Sequence, residues 1–182
     1  MAWVDLHLHS RCSDGADAPE EVVARAHALG MAALALTDHD TVAGVPAARA
    51  AAHEAGLGFL DGVEISAAFE DREIHIIGLG MCLEAPALTR LLETLHTYRA
   101  TRVRRIVERL DKIGTASIDV LASRLQPVTP VGRMHVAVAL MELGKATSVQ
   151  NAFDRYLNRS CPAYVPKELP SAREAVEAIH DA

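Results

Sequence analysis

Residues 3–9, Trp-Val-Asp-Leu-His-Leu-His (WVDLHLH), decide the fold. Apolar and polar residues alternate here, which predicts a β-strand whose every second side chain shares a face. The imidazoles of His7 and His9 therefore point to the same side at the strand's carboxyl end. Asp5 lies on that side, where its carboxylate can accept a hydrogen bond from a ligating imidazole. Two half-buried histidines at a strand end are the alternative interpretation.

The residues that follow predict an α/β domain. Further strands are predicted at 31–36, 58–66 and 73–79, with helices between the first three strands. This order is typical of βαβ units in a parallel sheet or barrel. Residues 1–82 therefore predict the N-terminal half of a barrel.

The pattern changes in residues 83–165. Apolar residues recur at helical spacing from Pro86 to Ile113, and three shorter helical stretches follow. They are separated by turn residues, namely Gly114, Pro127, Pro130 and Gly144. This segment predicts an α-helical insertion. Residues 166–182 are expected to begin the returning catalytic segment, with a last helix that starts at a Ser171–Glu174 capping box.

Composition excludes several classes of protein. Half of the 182 residues are hydrophobic and 23% are charged, so the chain is not disordered. It shows neither a membrane-length apolar run nor a signal sequence, and we expect a cytoplasmic protein. The three cysteines lack metal-site spacing. The formal net charge of −6 argues against wrapping of duplex DNA, though not against a small phosphorylated ligand.

Each later strand also delivers a residue type that binds metals. Carboxyl ends of barrel strands meet at one mouth, so such residues are expected to converge there. The candidate ligands are His7, His9, Asp14, His39, Glu64 and His75. Mixed imidazole and carboxylate donors suit Mn(II), Fe(II) or Zn(II). Each also has an ordinary alternative: Asp14 in a turn, Glu64 at a solvated strand end, His75 in the core.

Five motifs occur in order along residues 3–80: Asp5-x-His7-x-His9, Ser13-Asp14-Gly15, Thr37-Asp38-His39-Asp40, Gly62-Val63-Glu64 and Glu73-x-His75-x-x-Gly78. This set resembles the PHP (polymerase and histidinol phosphatase) superfamily of metal-dependent phosphoesterases. The resemblance implies a distorted (β/α)7 barrel, of which the N-terminal part is present, with two or three divalent metals at its mouth.

The resemblance also implies roles for the individual residues. His7, His9 and Glu64 would hold one metal. Asp14 and His39 would hold a second, and Glu64 would bridge to a third held with His75. Asp5 and Asp38 would support these ligands without binding metal, although a helix cap is the alternative for Asp38. The family's later Ala-His-Pro and Asp-x-His ligands have no counterpart here, so we expect the N-terminal part of a longer enzyme, or a complement supplied separately.

A further motif, Gly132-Arg133-Met134-His135, lies in the predicted insertion. It resembles the Gly-Arg-x-His motif of the family's 3',5'-nucleoside bisphosphate phosphatases and oligonucleotide-trimming enzymes. Arg133 would bind a phosphate with its planar guanidinium, and His135 would protonate the departing sugar oxygen. Ordinary residues on a helix surface are the alternative for both.

One segment of the acidic chain is basic. Between Arg99 and Lys112 lie six basic residues and two acidic ones. Such a helix face could contact short single-stranded RNA or DNA, and a solvated face is the alternative.

The sequence thus predicts a metal-dependent phosphoesterase acting on a phosphorylated nucleotide. It would remove the 3'-phosphate of a 3',5'-bisphosphonucleotide, or trim short oligonucleotides, through attack by a metal-bridging hydroxide. Two other functions stay open, an amidohydrolase-type metal hydrolase and a non-catalytic PHP module.

Overall fold

A computed structural model describes residues 3–125 and 131–182 of the chain. Its strands are β1 (Trp3–Leu8), β2 (Met31–Leu36), β3 (Gly58–Phe69) and β4 (Arg72–Leu79). Its α-helices are α1 (Pro19–Ala28), α2 (Val45–Glu54), α3 (Pro86–Lys112), α4 (Ile118–Leu125), α5 (Arg133–Glu142), α6 (Val149–Ala152) and α7 (Ala172–His180). A π-helical turn, Phe153–Leu157, directly follows α6.

The chain divides into two compact units. The first comprises the residues up to Leu95 together with Leu169–Ala182, and the second comprises His96–Glu168. The functional domain boundaries predicted after residues 82 and 165 stay predictions. Within the described ranges, no helix is long and apolar enough to span a bilayer.

The first unit contains one four-stranded sheet in the order β1-β2-β3-β4. β1 pairs parallel with β2, and β2 pairs parallel with β3, as the βαβ pattern predicted. β4 instead pairs antiparallel with β3. The connection explains this difference, because only Glu70 and Asp71 separate the two strands, whereas a parallel crossover needs about a dozen residues.

Strand β3 is longer than the sequence suggested and pairs with a different neighbour along each half. Residues 58–61 pair with β2, and residues 62–69 pair with β4. Glu64 therefore lies within β3 rather than closing it. At the changeover, a Cβ on Gly62 would lie 2.7 Å from the carbonyl oxygen of Leu36, so close approach of β2 requires glycine here.

Helices cover the sheet of the first unit through two apolar clusters. In one, α1 and α2 pack on β2, with Val23, Leu34 and Leu36 fully or almost fully buried. In the other, α7 and the start of α3 pack on β3, around Ile65 and Leu88. The two clusters fix the strands from which the polar side chains described below project.

The second unit is helical, as the spacing of apolar residues predicted. Its core consists of residues from α3 to Val165, including the fully buried Ile106, Leu110, Leu121 and Leu140. The predicted helix breaks at Gly114 and Gly144 coincide with left-handed glycines. Those predicted at Pro127 and Pro130 lie outside the described residues.

The capping box predicted for α7 is confirmed. Ser171 Oγ accepts a hydrogen bond from the Glu174 backbone N–H at 3.2 Å, and the Ser171 N–H donates to the Glu174 carboxylate at 2.7 Å. We expect Ser171→Ala to lower the free energy of unfolding by about 1 kcal/mol. Urea denaturation followed by circular dichroism measures this, with the exposed Ser160→Ala as the control. Equal effects of the two variants would contradict a capping role.

Candidate metal centre

Four imidazoles lie in a row across the sheet of the first unit. His7 lies on β1, His9 follows that strand, His39 follows β2, and His75 lies on β4. Ring centroids are 5.1 Å apart for His7 and His9, 4.7 Å for His9 and His39, and 4.7 Å for His39 and His75. The alternation predicted for β1 thus directs both of its histidines to a shared site.

The Glu64 carboxylate lies against all four rings. Its Oε2 lies 2.9 Å from Nε2 of both His7 and His9 and 3.7 Å from Nε2 of His39. Its Oε1 lies 2.8 Å from Nδ1 of His75. The side chain is only 5% exposed, so this carboxylate is buried among the imidazoles rather than solvated at a strand end.

Asp14 supplies the second carboxylate, on the loop after β1. Its Oδ1 lies 2.9 Å from His9 Nδ1, and its Oδ2 lies 3.6 Å from His39 Nε2. The loop folds back tightly on the end of β1. As a result, a Cβ on Gly15 would lie only 2.5 Å from the His9 carbonyl oxygen. The Ser13-Asp14-Gly15 motif therefore needs glycine for this approach.

Asp38 holds that loop in place and is completely buried. Its Oδ1 accepts hydrogen bonds from the Ser10 N–H at 2.7 Å and from the Ser13 hydroxyl at 2.6 Å, and its Oδ2 accepts one from the Ser10 hydroxyl at 2.6 Å. A buried carboxylate with three donors is well satisfied. Its contacts place Asp38 behind the loop that carries Asp14, not at a helix cap.

Asp5 has a different partner from the imidazole considered for it. Its carboxylate accepts a hydrogen bond from the His7 backbone N–H at 3.1 Å. It therefore orders the backbone of β1 beside His7, and its support of a ligating imidazole stays a prediction.

The six candidate ligands form three overlapping groups. Within each group, one donor atom from every member lies within 4.8 Å of the others. The groups are His7, His9 and Glu64; His9, Asp14 and His39; and His39, Glu64 and His75. Imidazole nitrogens and carboxylate oxygens without thiolate fit Mn, Fe or Zn. His9 and His39 are each shared between two groups, which sequence reasoning did not foresee.

Burial and neighbouring charges shift the pKa of three of the six candidate ligands. Burial opposes ionisation of Glu64, but the hydrogen bond from His7 and the charge of His39 prevail and lower its pKa. The pKa of Asp14 is lowered in the same way, with burial opposed by the charge of His39 and the hydrogen bond from His9. Burial lowers the pKa of His39, although the two carboxylates act against it. These directions favour ionised carboxylates and a neutral His39, which are the forms that bind metal.

Arg133 and His135 lie in the second unit, at the N-terminus of α5. The Arg133 guanidinium carbon lies 5.5 Å from the centroid of the Phe153 ring. His135 Nδ1 accepts a hydrogen bond from the Gly132 N–H at 3.0 Å, which puts the proton of the neutral ring on Nε2. Burial and the charge of Arg99 lower the pKa of His135, which favours that neutral form.

Half of the basic residues in the basic segment of α3 form contacts within the second unit. The Arg102 guanidinium donates to the Val165 carbonyl oxygen at 2.9 Å, and that of Arg109 donates to the Tyr164 carbonyl oxygen. Arg105 forms an ion pair with Glu168 at 2.6 Å. These contacts give three of the six basic residues a structural role that the two interpretations from sequence did not include.

Three supporting residues were given no role from the sequence, although two of them, Ser13 and Glu73, belong to motifs quoted above. Ser10 and Ser13 bind Asp38, and Glu73 Oε1 lies 3.5 Å from His75 Nε2. The signal for Glu73 is available in retrospect, because it lies two residues before His75 on the same face of β4. Neither serine carries such a periodic signal, because both belong to an irregular loop.

The PHP domain family matches residues 5–159 of the chain. The chain therefore belongs to this family, as the five ordered motifs suggested. The match includes all six candidate ligands and the Gly132–His135 motif.

Two curated relatives extend this likeness along almost the whole chain. A 5'-3' exoribonuclease of Haemophilus influenzae is 41% identical over 178 residues, which is 98% of this chain and 65% of the relative. A 3',5'-nucleoside bisphosphate phosphatase of Chromobacterium violaceum is 39% identical over 177 residues, covering 97% of this chain and 62% of the relative. The chain thus spans somewhat less than two thirds of the length of these relatives.

Two solved structures share the fold. One, from Bifidobacterium adolescentis and provisionally described as a metal-dependent phosphoesterase, has a TM-score of 0.82 at 30% identity. The other, from Chromobacterium violaceum and described as an amidohydrolase with bound sulfate, has a TM-score of 0.81 at 36% identity. Each comparison covers 98% of this chain and 63% of the solved chain.

The lowered pKa of His39 predicts how the stability of the metal-free chain changes with pH. In the unfolded chain His39 takes up its proton near pH 6.5, whereas in the folded chain it does so only at a lower pH. Its contribution to stability is therefore present above about pH 6.5 and is lost as the pH falls from there toward the folded pKa. Asp14 and Glu64 add a further loss below about pH 4, because their folded pKa values are lowered.

We expect the chain, freed of metal by EDTA, to have a lower Tm at pH 5.5 than at pH 7.5. The variant His39→Asn should show a smaller difference, since this titration is gone. Thermal unfolding in the presence of EDTA measures it, with His96→Gln, on the exposed face of α3, as the control. An undiminished difference in His39→Asn would contradict the assignment.

Proposed function

We propose that the protein is a metal-dependent phosphoesterase that hydrolyses a phosphate ester of a nucleotide. The observation that carries the proposal is the convergence of four imidazoles and two carboxylates in three overlapping groups. The names of the relatives, a 5'-3' exoribonuclease and a 3',5'-nucleoside bisphosphate phosphatase, support the substrate class. We propose removal of the 3'-phosphate from a 3',5'-bisphosphonucleotide, or trimming of short oligonucleotides, as the reaction.

The ligands His7, His9, Asp14, His39, Glu64 and His75 would hold two or three divalent cations of Mn, Fe or Zn. Such cations supply a hydroxide near neutral pH and a clamp for phosphoryl oxygens. Glu64 belongs to two of the three groups, so it would contribute to more than one of the ion sites. Asp38, through Ser10 and Ser13, would hold the loop that presents Asp14.

Arg133 and His135 would recognise the phosphate of the substrate. The planar guanidinium of Arg133 suits two phosphate oxygens at once, and the N-terminus of α5 favours negative charge. Because His135 Nδ1 accepts from Gly132, its Nε2–H is the group that faces other acceptors. A neutral ring in this state donates a hydrogen bond to an oxygen, and protonation of the departing oxygen by His135 stays a prediction.

Several finer features belong to the same proposal. We propose a distorted (β/α)7 barrel for the whole protein, a cytoplasmic location, and short single-stranded RNA or DNA as further substrates. An amidohydrolase-type metal hydrolase is the second candidate function, favoured by the description of the Chromobacterium violaceum structure as an amidohydrolase. A non-catalytic PHP module is the third, and intact candidate ligands argue against it.

Metal binding tests the centre directly. We expect the full-length protein, purified without chelator, to contain at least two Mn, Fe or Zn ions per chain, and Glu64→Gln to lose at least one. Affinity should fall below about pH 6, because imidazole must be neutral to bind. Elemental analysis by mass spectrometry and calorimetric titration measure both, with Glu54→Gln as the control. A metal-free protein with undisturbed phosphoesterase activity would overturn the proposal.

Activity against matched substrates distinguishes the three functions. We expect release of inorganic phosphate from 3',5'-bisphosphoadenosine, and a fall in kcat/KM of about 100-fold in Arg133→Ala, equivalent to the roughly 2 to 3 kcal/mol of a lost charged hydrogen bond. The metal content of this variant should not change. If the protein is an amidohydrolase, Arg133→Ala should have little effect on kcat/KM. If it is a non-catalytic module, it should turn over neither phosphate esters nor amides.

A further inference from the structure

Polar burial in the described residues is concentrated around one place. Five polar or charged side chains are buried there: Ser10, Thr37, Asp38, Glu64 and Ser66. Four of them are not candidate metal ligands. Since buried polar groups are costly unless satisfied, their clustering indicates a supporting network. Within it the Thr37 hydroxyl donates to the Leu8 carbonyl oxygen at 3.2 Å, and Ser66 has a side-chain carboxylate as its partner.

That partner is Asp40, the last residue of the Thr37-Asp38-His39-Asp40 motif. Its Oδ1 accepts a hydrogen bond from the Ser66 backbone N–H at 2.7 Å, and its Oδ2 accepts one from the Ser66 hydroxyl at 3.1 Å. Asp40 adopts a left-handed backbone conformation with φ of 55°. This conformation is unfavourable for a non-glycine residue, so the contact compensates for strain.

The contact completes the edge of β3 that β2 leaves open. Beyond residue 61, three successive outward N–H groups of β3 need acceptors. Glu64 N–H donates to the Asp38 carbonyl oxygen at 3.2 Å, Ser66 N–H to the Asp40 carboxylate, and Ala68 N–H to the Pro170 carbonyl oxygen at 2.7 Å. Only the middle acceptor is a side chain, which makes it the one that a point mutation can remove.

The same contact joins three candidate ligands. His39 precedes Asp40 and forms an isolated bridge with Glu64, two residues before Ser66. Ser66 is in turn the residue opposite His75 in the β3–β4 ladder. The Asp40 carboxylate therefore ties the segment that carries His39 to the point where Glu64 and His75 are set relative to each other.

We propose that Asp40 is a positioning residue for the His39–Glu64–His75 group, acting through Ser66. This inference rests on the proposed function, because it assumes that the group binds a cation. Asp38 acts on the opposite side of His39, where it holds the loop of Asp14. The two aspartates thus divide the support of the centre, one for the group with Asp14 and one for the group with His75.

Three variants separate the possible roles of Asp40. Asp40→Gly removes the carboxylate and also the backbone strain, since glycine adopts positive φ freely. Asp40→Asn removes the charge but retains an acceptor for the Ser66 N–H. Glu70→Gly is the matched control, because Glu70 is an exposed acidic residue with φ of 52° in the β3–β4 turn.

We expect Asp40→Gly to lower the affinity for one of the bound ions by about 10- to 100-fold. This is the usual effect of losing a group that orients a metal ligand. Asp40→Asn should restore most of the affinity, and Glu70→Gly should bind like the wild type. Calorimetric titration with Mn²⁺ measures the affinities. The visible absorption of the Co²⁺-loaded chain reports ligand geometry, and it should change in Asp40→Gly only.

A double-mutant cycle locates the affected group. In a His75→Ala background, Asp40→Gly should lower the metal affinity little further. In an Asp14→Ala background, the fold-losses of affinity from the two substitutions should multiply. If Asp40→Gly fails to fold, Ser66→Ala replaces it, and a smaller loss in the same direction is expected.

The outcomes are distinguishable. Wild-type affinity and an unchanged Co²⁺ spectrum in Asp40→Gly would overturn the positioning role while leaving the proposed function intact. Equal losses at every ion would also overturn it, in favour of a general effect on folding. A wild-type chain that binds no divalent ion would defeat the proposed function itself.

Discussion

A single buried carboxylate, that of Glu64, organises the first unit. Four imidazoles from three segments lie within 3.7 Å of its oxygens. Removing such a group from water is costly unless donors or cations replace the lost hydration. Each strand that contributes a histidine must therefore be held in a fixed register relative to β3. Two other features follow from the same requirement. They are Gly15, in the loop that carries Asp14, and the buried hydrogen bonds of Asp38 with Ser10 and Ser13.

The changeover of partners along β3 makes that arrangement possible. β2 pairs with the first part of the strand, and β4 pairs with the remainder. Glu64 lies just after the changeover, so ligands arrive from a parallel neighbour on one side and an antiparallel neighbour on the other. A uniformly parallel sheet would bring His75 in from the end of a strand, whereas here it comes from within β4.

Sequence periodicity was sufficient for part of this account. It predicted β1, and the Ser171–Glu174 motif predicted the cap of α7, because both depend on local geometry. The convergence of the six candidate ligands was expected for another reason, the meeting of parallel strand ends at one barrel mouth. Periodicity did not predict the antiparallel β4 or the extension of β3 to Phe69, which depend on a two-residue turn and on pairing with distant segments. The link from Asp40 to Ser66 was equally inaccessible, because it joins residues 26 positions apart through one side chain.

The bond from Ala68 to Pro170 has a consequence for synthesis. Residues 96–168 form a separate unit between these two positions, so a ribosome must translate all of them before this acceptor emerges. Until then, part of β3 presents an unpaired edge, the kind of surface on which other chains add strands. The first unit can therefore complete this edge of β3 only after the whole second unit has been synthesised.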